Sequence, residues 1–109
     1  MPAKLLLMPT HGYGARVVEA SGTGPDADAT VGAGATATVS VTVSDRDISP
    51  GSTVFVAGVS GLPAGVAIAG VEVSAGQGSA TVTLTLYNPS GADVTVPANS
   101  VTVKIVAIG

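Results

Sequence analysis

Residues 35–43 fix the class of this chain. The order Ala-Thr-Ala-Thr-Val-Ser-Val-Thr-Val alternates without a break, an apolar side chain and then a hydroxyl. Successive side chains of a strand point to opposite faces, so this period of two describes a strand with one face buried and one wet. The same pattern returns at residues 80–87, as Ala80-Thr81-Val82-Thr83-Leu84-Thr85-Leu86-Tyr87. Residues 53–57, 66–74, 94–96 and 101–108 read as further strands, and no window carries a helical period. Gly70, inside the strand at 66–74, predicts a bulge or a close backbone approach. The last strand becomes apolar on both faces towards its end, which predicts a central strand or one at a subunit contact.

Turn residues separate these strands. Pro50-Gly51 fits the central positions of a type II turn, and Asn88-Pro89-Ser90-Gly91 carries proline at its second position. Gly61-Leu62-Pro63-Ala64-Gly65 is a loop, and Ala75-Gly76-Gln77-Gly78 makes a short hairpin connection. Strands at roughly 8–12-residue spacing with turns between them predict an all-β fold, an antiparallel β-sandwich or a jelly-roll-like barrel. Its body spans residues 35–109. Residues 1–34 form an extended N-terminal arm that packs on a neighbouring subunit, or else edge strands at 3–8 and 15–20. Residues 21–34, rich in Gly, Ala, Thr and Asp, have the composition of a linker.

Charge is scarce: Asp, Glu, Lys and Arg make up 10% of the 109 residues, against about 25% in ordinary domains. So few ionised groups leave little to keep a free surface soluble, which predicts a surface covered by other subunits. The basic residues are Lys4, Arg16, Arg46 and Lys104 alone, and Phe55, Tyr13 and Tyr87 are the whole aromatic set. Such a chain has no basic stripe with interleaved aromatics, so nucleic acid is not an expected partner. The apolar run Leu5-Leu6-Leu7-Met8 ends at Pro9, far short of a signal core or a membrane span. With no cysteine there is neither a disulfide framework nor a thiolate metal site, which fits assembly in a reducing cytoplasm. A start at Met1 and an end on a strand favour a whole small product over an excised module.

No catalytic, cofactor or metal site is expected. His11, the sole histidine, lies beside Tyr13 in a glycine-flanked loop without a nucleophile context, and reads as a surface or packing residue. Asp26/Asp28 and Asp45/Asp47 place carboxylates two apart, yet neither stretch supplies the further oxygen ligands that a calcium loop needs. Aspartate is also a routine turn residue. Arg46 reads as part of a solvated charge cluster or an intersubunit salt bridge. Nothing marks Glu19 or Glu72 as a glycosidase pair, and no glycine-rich stretch opens a helix in the manner of a phosphate loop.

The stretch from Val54 to Gly109 resembles a β-module of bacteriophage virion proteins, particularly capsid decoration (cement) proteins and the tips of some phage fibres. The residues that carry the likeness are Thr53-Val54-Phe55-Val56, Gly61-Leu62-Pro63-Ala64-Gly65-Val66, Val82-Thr83-Leu84-Thr85-Leu86-Tyr87-Asn88-Pro89 and Val96-Pro97-Ala98-Asn99-Ser100. It covers about half the chain. The last strand departs from the family pattern, carrying Lys104 where an aromatic and basic-rich strand is usual. The resemblance implies a non-enzymatic virion protein, commonly a homotrimer, that binds the major capsid protein on the outer face of a head and clamps neighbouring capsomers. Leu5, Leu6 and Leu7, with Val106 and Ile108 of the last strand, are the interface candidates. The alternative is an Ig-like adhesion or binding module of a bacterial surface protein.

Overall fold

The computed structural model describes the backbone of residues 4–7 and 15–109 and the side chains of residues 17–109. All the regular structure in them is β: β1 (Lys4–Leu7), β2 (Ala15–Gly24), β3 (Ala29–Val31), β4 (Thr36–Ser44), β5 (Thr53–Ser60), β6 (Ala67–Gly76), β7 (Ser79–Tyr87), β8 (Val94–Val96) and β9 (Val101–Ile108). One antiparallel sheet runs β1-β2-β9-β5 and a second runs β4-β7-β6, with the short pair β3-β8 beside them. The fold is an antiparallel β-sandwich.

Alternation decides which face each strand buries. Val39, Val41 and Val43 of β4 point inward, as do Ala80, Val82, Leu84 and Leu86 of β7. Facing them from the other sheet are Val101, Val103, Ile105 and Ala107 of β9. The outward residues of β4, Thr36, Thr38, Ser40, Thr42 and Ser44, are all exposed. Val31, Val96 and Ile48 close the ends of this core. Among the described residues the buried core holds no aromatic side chain; it is filled by β-branched and aliphatic residues, which pack well on pleated surfaces. As the apolar character of both its faces predicts, β9 is central, hydrogen-bonded to β2 on one side and β5 on the other.

The predicted bulge is present: the β6–β7 register shifts between Ile68 and Gly70. The extra residue has a consequence for packing. Ile68 stands opposite Leu86 as Val71 stands opposite Leu84 and Val73 opposite Val82, so all three apolar residues share the inner face. A strand without the insertion would turn Ile68 outward.

Two local expectations change. The turn at residues 49–52 exists, with the Ser52 amide donating to the Ser49 carbonyl at 2.9 Å. Gly51, however, does not take the positive φ of a type II turn. Residues 21–34 are also more ordered than a linker. Strand β2 continues through Ser21-Gly22-Thr23-Gly24, paired with Lys104 to Val101 of β9, and β3 pairs with β8. The glycines are there for closeness, not flexibility. A Cβ on Gly22 would overlap the Thr42 carbonyl oxygen, and one on Gly24 would lie 2.6 Å from the Ser40 carbonyl oxygen. The two sheets therefore touch backbone to backbone where β2 crosses β4.

Candidate functional site

The candidate residues converge on surfaces of the sandwich. On the outer face of the four-stranded sheet, register aligns Val17, Ile108 and Thr53 across β2, β9 and β5, and below them Glu19, Val106 and Phe55. Phe55 is 54% exposed, while Val17, Val106 and Ile108 are half-buried. Leu5 of β1 stands opposite Val17 and extends the first row by one strand. Leu7 is opposite Ala15, and Leu6 opposite Arg16, one position out of that alternation. The geometry thus joins Val106 and Ile108 to Val17 and Phe55, two residues that sequence reading did not single out. Their membership depends on register, and the only sequence signal was an aromatic residue on an outward strand position.

A second apolar surface lies on the three-stranded sheet. Strand β6 is its edge and is exposed on both faces over most of its length. Ile68, Val71 and Val73 are on the core side of the sheet, yet they remain 41%, 45% and 36% exposed. They overhang the facing sheet, where β5 is the last strand. The other exposed aromatic among the described residues, Tyr87, ends β7 with its partners Thr36 and Ala67 on either side.

A groove of about 550 Å³ runs along β2 and β9 to the end of β4 and the irregularity at Ala57 of β5. Glu19, Ser21, Ser44, Asp45 and Lys104 supply its polar groups, and Ala20, Ile105 and Val106 its apolar wall. Among the described residues, no hydrogen bond or ion pair joins any two of the Glu19, Ser21, Ser44 and Lys104 side chains. It is an open polar trough beside the Phe55 face, with one cation and two carboxylates.

Asp28, Asp45 and Asp93 each accept a hydrogen bond from a backbone amide. Asp45 accepts a hydrogen bond from the Asp47 amide at 2.9 Å, the local bond of an Asx turn. Asp28 accepts from the Ala98 amide at 2.8 Å, and Asp93 from the Ala33 amide at 3.0 Å. Among the described residues no group of three or more His, Asp or Glu side chains is arranged to hold a metal ion. His11 and Tyr13 lie outside the described residues.

The buried polar centre is Asn88, which is fully enclosed. Its side-chain amide donates to the carbonyls of Val31 at 3.0 Å and Ala92 at 2.7 Å. Its carbonyl oxygen accepts from the Ser90 amide at 3.0 Å and the Ser90 hydroxyl at 2.7 Å. This satisfied network ties the β7–β8 loop to β3, which makes Asn88 a structural residue.

Among the described residues no helix is long and apolar enough to cross a membrane. No family model, no curated protein and no solved structure matches this chain.

Proposed function

We propose that this protein is a non-enzymatic structural module that works by docking its apolar outer surface onto partner subunits. The observation that carries the proposal is the placement of the aromatics. Among the described residues the core is closed without any, while Phe55 projects from the outer sheet face beside Val106, with Ile108 and Val17 in the next row. A fold that packs its interior with Val, Leu, Ile and Ala and leaves an aromatic outside is offering that aromatic to something else. Aromatic residues seated in apolar surroundings are the usual anchors of protein interfaces. The scarcity of charge points the same way, since little on the surface opposes association.

The partner we propose is the major capsid protein of a bacteriophage head, with this chain as a decoration protein on the outer shell, assembled in the host cytoplasm. Support for the virion setting is the resemblance carried by residues 53–56, 61–66, 82–89 and 96–100. The Phe55 face, continued by Val106, Ile108 and the β1 positions Leu5 and Leu7, is the surface assigned to the shell. Clamping adjacent capsomers needs only buried apolar area and a rigid body, and both are properties of a sandwich.

Co-sedimentation with undecorated heads tests this reading. The native chain is expected to pellet with heads, and Phe55→Ser to pellet at least tenfold less at equal concentration while keeping its fold. A native chain that stays in the supernatant with heads of its own source, and is monomeric in light scattering, would contradict the decoration role and favour an adhesion module.

A further inference from the structure

The free edge of β6 has the geometry of a strand-pairing site, and we infer that its occupant is the β6 strand of a second copy. The inference rests on the reading of this chain as an assembly-forming module, and it assigns a contact separate from the Phe55 face.

Backbone direction along β6 follows from its hairpin. Gly76 and Ser79 close the two-residue turn Gln77-Gly78. The pair that closes such a turn exchanges both of its backbone hydrogen bonds, and bonded pairs then alternate up the ladder. Gly76, Ser74, Glu72 and Gly70 therefore spend their N–H and C=O groups on β7. Those of Val71, Val73 and Ala75 point away from it, and among the described residues no strand is hydrogen-bonded to β6 on that side. The same three residues put their side chains on the inner face. Open hydrogen-bonding groups and an exposed apolar row thus lie on one edge.

Natural edges of this length are normally blunted by lysine, proline or an inward charge. From Gly70 to Gly76 the only charged residue is Glu72, and there is no proline. The bulge at residues 68–70 limits the pairing window at one end and the turn limits it at the other.

Register selects a self-complementary arrangement. Antiparallel pairing about a two-fold axis must match outward-pointing residues with one another. Centring it on Glu72 sets like charges directly opposite, which is unfavourable. Centring it on Val71 runs the strand into the bulge. Centring it on Val73 meets neither obstacle. Val73 then faces Val73 of the second copy, Val71 faces Ala75, and Glu72 faces Ser74. The result is one continuous sheet through both molecules, an isologous contact.

Because the chain has no cysteine, single-cysteine variants of the full chain read the register directly. Under mild oxidation, Val73→Cys is expected to give a disulfide-linked dimer at least tenfold faster than Val71→Cys, which meets Ala75 and not itself. Equal rates, or no cross-link in either variant, would overturn the inference. Val73→Pro removes an N–H that β7 does not use, so the hairpin survives. It is expected to move the concentration for half-association up at least tenfold, and an unchanged midpoint would overturn the two-fold contact. Head binding is scored separately. A chain that cross-links at position 73 but ignores heads keeps this contact and loses the capsid partner. A chain that binds heads without cross-linking does the reverse.

Discussion

The two lateral sides of the sandwich are built on opposite terms. Where β2 crosses β4, glycines bring backbone against backbone, and Gly22 and Gly24 leave no room for a Cβ. Where β5 and β6 end their sheets, both strands carry irregular register, and apolar side chains stand in solvent. The closed side brings its two backbones into direct contact. The open side carries residues of core type without a core to cover them. A protein needing only to fold would gain solubility from polar residues at Ile68, Val71 and Val73, because half-exposed apolar groups contribute little to its own stability. Their presence makes sense if the closed side holds the fold and the open side serves association.

That contrast can be broken most severely on the closed side. Gly22→Val pushes a branched side chain into the Thr42 carbonyl, and is expected to cost about 4 kcal/mol or to prevent folding, measured by urea denaturation. Leu84→Ala, at a fully buried position on β7, is expected to cost about 3 kcal/mol in the same measurement. Asn88→Ala removes the amide that donates to the carbonyls of Val31 and Ala92 and the oxygen that accepts from the Ser90 amide, and about 2 kcal/mol of destabilisation is expected. Its effect should appear first as faster amide exchange in β3 and the β7–β8 loop. On the open side, Val71→Thr is expected to change monomer stability by less than about 0.5 kcal/mol. It should nonetheless weaken association, whereas Asn88→Ala should not affect association until the fold is lost. A Val71→Thr penalty as large as that of Leu84→Ala would erase the distinction between the two sides.

Strands β4 and β7 were plain in the text because their alternation is strict and their polar residues are Thr and Ser, which tolerate the outer face of a sheet. The bulge near Gly70 was legible for the same reason, as a glycine breaking an alternating run. The second half of β2 was hidden. Ser21-Gly22-Thr23-Gly24 has the composition of a linker, and only the approach of β4 from distant sequence explains its glycines. Strand β3 is too short to show a period. The apolar pair Val106 and Ile108 was visible on the last strand, but Phe55 and Val17 join it only through cross-strand register. The exposure of Val71 and Val73 was equally hidden, because an inward row over a facing sheet and an inward row over solvent are written alike. Sequence pattern specifies a face; what covers that face is a long-range fact.

The most direct test of the role given to the apolar exterior is the molecular mass of the full chain in solution, followed by light scattering from micromolar to millimolar concentration. The account predicts that mass rises reversibly to a defined oligomer, and that Val73→Pro reduces the association while Phe55→Ser, on the face assigned to the shell, leaves it in place. A native chain that holds the mass of a single copy across the whole range, with Val73→Pro indistinguishable from it, would contradict the account.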